Sequence, residues 1–288
     1  MNDFWTWLLL TVSVMASLQH SVPAPAQGPG VMLAAVSRDS HRLFGIGSGE
    51  KTAKGNVFVE PLARVTPSGE WQALPCVADT GGNQQNACSQ FEREYLSKPH
   101  TYTAVSADGR GATIQAEPTT LSECFGYTGT GKYSGANIET SAIAASSTDF
   151  FSDGPAPQLL PDVTAKPFLK AFADAVPGGL DSNLFLKVFS LRLETQDLVL
   201  VQRSYIHRAE PLKFIFAIGA MDHDQFHLLQ WKENTGDEDE VVLGTVRLTN
   251  GRDFLVTTVA DPEGQWFRVY GIRDGKLVVV YSGGGSSC

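Results

Sequence analysis

The chain is poor in the residues that usually announce a chemistry. Of its 288 residues, four are cysteine, four methionine and six histidine. No two cysteines stand at the Cys-x2–4-Cys spacing of a zinc knuckle, so a four-cysteine zinc site of that kind is excluded. No Gly-x-Ser-x-Gly elbow is present, and the histidines have no sequence-readable partner for a Ser-His-Asp arrangement. Past the N-terminus, no apolar run approaches the about 20 residues that a membrane-spanning helix needs. Basic residues are in the minority, 22 Lys and Arg against 31 Asp and Glu, for a net charge of −9. An acidic surface repels phosphate backbones and anionic lipid, which makes nucleic acid and membrane surfaces poor partners.

What is present starts at the N-terminus. Phe4 to Leu18 carries no charge. It fits the apolar region of a signal peptide, and Ala24 and Ala26 give an Ala-x-Ala cleavage pattern with Gln27 as the new N-terminus. The segment before it, Met1-Asn2-Asp3, lacks the usual positive charge. Behind an export signal, an even number of cysteines reads as disulfides. Cys76, Cys88, Cys124 and Cys288 are therefore expected to form two, in a secreted or periplasmic protein. The nearest pairing joins Cys76 to Cys88 and leaves Cys124 for Cys288, although four cysteines allow three patterns. An eleven-residue loop between Cys76 and Cys88 would stabilise the fold by about 3 kcal/mol, and a long 124–288 loop by somewhat more. The Gly283-Gly284-Gly285-Ser286-Ser287 run reads as a flexible spacer that lets Cys288 reach back.

The pattern of the rest is mainly β. Residues 27–148 read as a smaller β-rich lobe. Val57 to Val65 alternates, Pro67-Ser68-Gly69 turns, and Trp71 to Leu74 returns. Pro61 cannot donate to a ladder and marks an edge or a bulge. Phe91 and Tyr95, four apart, point to a short helix over Cys88–Leu96. Thr101–Ser106 and Ala112–Ala116 form a hairpin about Asp108-Gly109. Residues 149–183 read as a linker and one helix, with Phe168, Leu169, Phe172 and Val176 on one face and Pro177-Gly178-Gly179 as its stop. Residues 184–288 hold eight strand patterns joined by short links, too short for parallel crossovers, so an antiparallel meander or roll is expected. Phe214, Ala220, Gln225 and Phe226 recur 40 residues later as Phe254, Ala260, Gln265 and Trp266. That period is typical of β-propeller blades, but two or three copies cannot close a propeller.

Several segments approach known site motifs and fall short. His223-Asp224-Gln225-Phe226-His227 is a relative of His-Glu-x-x-His, but on a strand residues four apart are separated by about 13 Å, too far to share an ion. The Gly45–Thr52 and Gly126–Lys132 runs each depart from a phosphate loop and lack a following helix pattern. Asp237-Glu238-Asp239-Glu240 reads as a solvated hairpin tip. Trp266, Arg268 and Tyr270 share one strand face. If exposed, that face could stack a glycan or meet a protein.

The segment Val246–Val256, with Asn250-Gly251 at its centre, resembles the strand–loop–strand of FG-GAP or VCBS-type β-repeats of exported proteins. The resemblance implies a β-repeat scaffold. Thr249 stands where those repeats carry a leading acid and the loop is shorter, so the resemblance does not supply a full set of calcium ligands. The Gly283–Cys288 tail is similar to the ending of some exported bacterial proteins.

The sequence thus points to an exported, disulfide-stabilised β-protein with a non-catalytic binding or scaffolding role at the cell envelope, and it implies no cofactor and no metal. Two other readings stand beside it. One is a secreted hydrolase with a site between the lobes, near Tyr127, Asp149 and Asp153. The other is a calcium-stabilised repeat protein. The disulfide expectation is checked by alkylating the unreduced mature protein. No thiol should take the label, and Cys288→Ser should lower the melting temperature without abolishing folding.

Overall fold

The computed structural model describes residues 30–38, 53–75, 89–118, 121–122, 126–127, 129–175, 186–203, 214–222, 225–233, 239–261 and 264–287. The strands of the N-terminal half are β1 (Val31–Ser37), β2 (Asn56–Val65), β3 (Trp71–Gln72), β4 (His100–Ala104), β5 (Thr113–Ala116), β6 (Leu121–Ser122), β7 (Gly126–Tyr127), β8 (Gly129–Ser134) and β9 (Ser141–Ala145). The short β10 (Phe151–Ser152) and β11 (Gln158–Leu159) precede helix α1 (Asp162–Ala175). Eight longer strands follow: β12 (Leu186–Leu193), β13 (Gln196–Arg203), β14 (Phe214–Asp222), β15 (Gln225–Glu233), β16 (Asp239–Leu248), β17 (Asp253–Asp261), β18 (Gly264–Arg273) and β19 (Lys276–Ser287). The protein is mainly β with antiparallel pairing throughout, as its patterning predicts.

The N-terminal lobe is a six-stranded barrel, closed in the order β1-β9-β4-β5-β8-β2 with β2 returning to β1, and β3 appended to β2. A barrel of six strands has a narrow interior that side chains must fill. The small residues Ala34, Ala104, Ala112, Ala116, Ala142 and Ala144 fit this space beside Met32, Val57, Val59 and Ile114. Phe91 and Leu96 join the same cluster. Phe91 precedes, and Leu96 ends, a π-helical turn, Glu92–Leu96, within the segment where the sequence predicts a helix. The expected bulge near Pro61 is present: the β1–β2 register shifts so that Leu62 falls out of the ladder.

Three further layers stack on the barrel. The outer face of β1, β2 and β9 (Leu33, Ala35, Leu62, Ala63, Val65, Ile143, Ala145) packs on the inner face of the β16–β19 sheet (Leu243, Val246, Leu248, Phe254, Val256, Phe267, Val269, Tyr281). The other face of that sheet, with Leu255 and Tyr270, packs on Leu191, Leu193, Leu198, Leu200 and Ile218 of the β12–β15 sheet. The far face of β12–β15 (Val188, Val199, Val201, Ala217) is covered by Ala165 and Phe172 of α1. The Phe172 and Phe226 ring centroids lie 4.5 Å apart. Helix residues Phe168 and Leu169 join this cluster as predicted. Val176, also assigned to that face, lies outside the described residues.

The eight predicted C-terminal strands are found, with ends moved by a few residues. They form two stacked sheets rather than one meander. The cause is visible in burial: β17 is buried at every position from Asp253 to Val259, and only a sheet covered on both faces accepts such a strand. The 40-residue repeat is out of phase with these sheets. It maps β14–β15, the last hairpin of one sheet, onto β17–β18, the middle hairpin of the other. The segment expected to be a linker instead ties the sheets together, because β10 pairs with β16 and β11 with β12.

The glycine tail is not a spacer. It continues β19 to Ser287, with Gly283 opposite Phe267 and Ser286 opposite Gln265. Two glycines, Gly284 and Gly285, therefore face one residue, Trp266, in a bulge. Gly285 has φ +86°, and an added Cβ would strike the Gln265 carbonyl oxygen. Gly251, at the β16–β17 turn, has φ +85° but open space around it. Gly251→Ala should cost only the left-handed penalty, about 1–2 kcal/mol. Gly285→Ala should cost clearly more, because it adds a backbone clash. Paired denaturant titrations of the two variants check this ordering.

Candidate functional site

The layers meet imperfectly along one edge, and a cleft opens there. It is bounded by Asp108 of the β4–β5 turn, Thr140 and Ser141 at the start of β9, and Pro157 and Leu159 of the strap around β11. Lys187 and Phe189 of β12, Gln202 of β13 and Val242–Thr245 of β16 complete it. Its volume is about 250 Å³. A second cavity, about 390 Å³, lies on the other side of the strap against Phe168 of α1, Arg192 of β12 and Asp197 of β13. The first cleft brings barrel, both sheets and strap together.

Most polar groups in the cleft wall are already bonded. The edge of β16 facing the cleft is capped by side chains: Val242 N donates to Gln202 Oε1 at 3.2 Å, and Ser141 Oγ donates to the Leu243 carbonyl at 3.4 Å. Thr245 Oγ1 donates to the Pro155 carbonyl, and Thr140 Oγ1 to Asp108 at 3.3 Å. An exposed strand edge invites pairing with another chain, and these caps blunt it. Lys187, exposed at the rim, has no carboxylate partner among the described residues. Leu159 is 58% exposed at the mouth, and Phe189 forms part of the apolar wall.

Trp266, Arg268 and Tyr270 do share a face, and that face is turned inward, toward the β12–β15 sheet. Tyr270 is fully buried and the Arg268 side chain is only 14% exposed, while Trp266 is half-buried. Arg268 and Tyr270 build an internal polar network with Glu240 and Thr257. Arg268 Nη1 donates to Glu240 Oε2 at 2.5 Å, Tyr270 Oη to Glu240 Oε1 at 2.6 Å, and Thr257 Oγ1 to Glu240 Oε1 at 2.8 Å. Burial, with the Glu240 charge beside it, pushes the Tyr270 hydroxyl far above the usual tyrosine range. Glu240 itself is 1% exposed, which corrects its reading as part of a solvated tip. It belongs to β16, opposite Val259, and its alternation sends it inward. Asp237 and Glu238 lie outside the described residues.

Asp253 plays a similar part at the other end of the interface. It is fully buried and accepts from Arg247 Nε at 2.6 Å and Nη2 at 2.7 Å, and from the Glu194 backbone N at 2.9 Å. This joins the β16–β17 hairpin to the β12–β13 turn. Within the repeat-like Val246–Val256 segment, Asn250 Oδ1 accepts from Arg252 N, and Asn250 Nδ2 donates to the Pro67 carbonyl on the barrel. The carboxylate of that segment is thus engaged with arginine. Among the described residues no three histidine, cysteine or carboxylate side chains gather as a metal site would require.

The carboxylates weighed for a hydrolase stand apart from the cleft. Asp149 is exposed, and Asp153, 92% exposed, pairs with Arg110 at 2.9 Å. The Tyr127 side chain, His223, the Gly45–Thr52 run and all four cysteines lie outside the described residues, as do residues 1–29. His227 is exposed on β15. The cleft residues Asp108, Lys187 and Gln202 carried no local motif. They come from three elements and are brought together only by stacking.

No protein-family model matches the chain, and neither the curated proteins nor the solved structures contain a detectable relative. No helix among the described residues is long and apolar enough to cross a membrane.

Removing Glu240 takes a close carboxylate partner away from the largely buried Arg268 guanidinium. Glu240→Ala is expected to cost about 3–5 kcal/mol in urea unfolding. The double change Glu240→Leu with Arg268→Met, which removes both charges, should recover most of that loss.

Proposed function

We propose that this chain is an exported, disulfide-stabilised protein with a non-catalytic binding or scaffolding role at the cell envelope, and that its ligand sits in the cleft bounded by Asp108, Leu159, Lys187, Phe189 and Val242. The supporting observation is how the polar groups are used. The hydroxyls of Ser141 and Thr245 donate to backbone carbonyls, and the buried carboxylates Glu240 and Asp253 are held by arginines. Groups so engaged fix the fold and are not poised for proton transfer or attack. Lys187 and the apolar pair Leu159 and Phe189 are left to meet a ligand.

The cleft, at about 250 Å³, is slightly below the usual range for small-molecule sites, about 300–1,000 Å³. It suits a small molecule, or the end of a larger glycan or peptide, with an anionic group for Lys187 and an apolar face for Leu159. An acidic protein gains specificity from such a local cation, because its own field disfavours anions elsewhere.

The test uses a panel of carboxylate-bearing sugars and short peptides, read by thermal shift and calorimetry. Leu159→Arg and Lys187→Glu change exposed positions and should alter the stability of the free protein by under about 0.5 kcal/mol. Both should abolish binding of a ligand that the native chain retains. A ligand bound equally well by both variants, or one consumed by the native chain, would overturn the proposal.

A further inference from the structure

Glu60 is the one buried carboxyl among the described residues without an arginine beside it. It stands on β2 opposite Ala35, just before the Leu62 bulge, on the outer face of the barrel. It is 1% exposed. Its partner is Gln265 of β18, 3% exposed and 205 positions away in the chain, whose Nε2 donates to Glu60 Oε2 at 2.7 Å. The two remaining oxygens, Glu60 Oε1 and Gln265 Oε1, are both buried and both lack a partner. Two orphaned acceptors on the same bonded pair are costly while the carboxyl is ionised, because neither has a proton to offer. One proton on Glu60 Oε1, donated to Gln265 Oε1, satisfies both and closes an acid–amide ring.

The surroundings favour the neutral form. Across from Glu60, β1 offers Ala35, and β8 offers Lys132, which is exposed and lies opposite Asn56 at the far end of β2. From β19, Tyr281 donates to the Leu62 carbonyl at 3.1 Å, and burial pushes its hydroxyl up to about 12. Arg268, the nearest cation along β18, points to the opposite face and is bound to Glu240. Burial raises the Glu60 carboxyl well above the ordinary carboxyl range, and the Gln265 bond only partly opposes this.

We propose that Glu60 is held as a neutral carboxylic acid paired with the Gln265 amide, and that the pair is a proton-dependent latch between the barrel and the β16–β19 sheet. With the proton in place the ring is closed. When the proton leaves to water, a bare carboxylate faces the Gln265 carbonyl with no cation beside it among the described residues, and the junction at the Leu62 and Gly284–Gly285 bulges loosens. The folded state then holds a proton that the unfolded state has lost. Stability from this pair is full below the unfolded carboxyl range and falls as pH rises toward the folded value, by about tenfold in the folding constant per pH unit within that window.

The test compares the native chain with Glu60→Gln, in which an amide replaces the acid and keeps both hydrogen bonds without titrating. Infrared spectra near neutral pH should contain a protonated-carboxyl C=O band in the native chain that is missing in Glu60→Gln. As pH rises above the unfolded carboxyl range, the native folding constant should fall relative to that of Glu60→Gln. Should Glu60→Gln fail to fold, Gln265→Met leaves the acid and removes its amide, and the band should shift. Absence of the band in the native chain overturns the proposal. So do parallel pH profiles of native and Glu60→Gln proteins, or a band unmoved by Gln265→Met.

Discussion

The β16–β19 sheet is buried on both faces, and the rest of the molecule is arranged around that condition. A sheet with one wet face alternates apolar and polar residues. β17 cannot, and its run from Asp253 to Val259 is buried throughout. One face requires the barrel and the other requires the β12–β15 sheet. The β12–β15 sheet then presents its own far face, with Val188, Val199 and Val201, which requires α1. Each layer exists because the previous one leaves an apolar surface uncovered. The same condition explains why β1 and β9 of the barrel are apolar at nearly every position: their inner faces fill the barrel and their outer faces meet the central sheet.

Double burial makes every polar side chain on the central sheet a commitment. Glu240, Asp253 and Gln265 are placed where no water can solvate them, and each meets a designated partner from another strand or layer. Glu240 and Asp253 each have an arginine partner. Glu60, which reaches the sheet from the barrel, has an amide instead, and an amide satisfies a carboxyl best when the carboxyl is neutral. Charged pairs therefore tie strands within the central sheet, and Asp253 also reaches the β12–β13 turn through the Glu194 backbone N, while the neutral pair holds barrel to sheet. Buried polar contacts add little net stability compared with apolar packing, but they penalise any shift in register that would separate them. In a stack of flat apolar faces, which could slide at small energetic cost, that penalty fixes the alignment.

The parts of the fold legible in the sequence are those governed by local chemistry. Asn250-Gly251 and Asp274-Gly275 set two hairpins of the central sheet, with φ +85° at Gly251, +50° at Asp274 and +69° at Gly275. Pro61 marked its bulge because a residue without an N–H cannot sit in a continuous ladder. What stayed hidden depends on distant partners. β1 and β9 are rich in alanine, a weak strand former, and alanine is chosen there by the narrow barrel interior and not by propensity. Glu240 sits at the end of an acidic run and reads as solvent-facing until Arg268 and Tyr270 are seen beside it. The aromatic–arginine triad on β18 was recognisable as one face, but its direction is set by a separate sheet formed earlier in the chain, between Leu186 and Glu233. Gly283–Gly285 read as a spacer because glycine signals both flexibility and close approach, and only the contact of Gly285 with Gln265 distinguishes them. The cleft was illegible for the strongest reason: each of its walls belongs to a different layer.

A cleft at the seam of stacked layers is a consequence of their twist. Two twisted surfaces that match along their centres diverge at the corners. Here the strap from Phe151 to Leu159 spans the divergence, pairing with β16 at one end and β12 at the other. It leaves a cavity on each side of itself, one toward the barrel and one toward α1. Such a seam is rigid where the layers are pinned and open where they part. Arg247 and Asp253 pin one side, and Gln202 caps the edge of β16 at the other. Side chains on the walls, Lys187 and Leu159 among them, are thereby displayed from a fixed frame and contribute little to holding it together. Positions freed from structural duty and presented by rigid strands are where a fold of this kind can carry recognition, because their identity can change without disturbing the layers beneath.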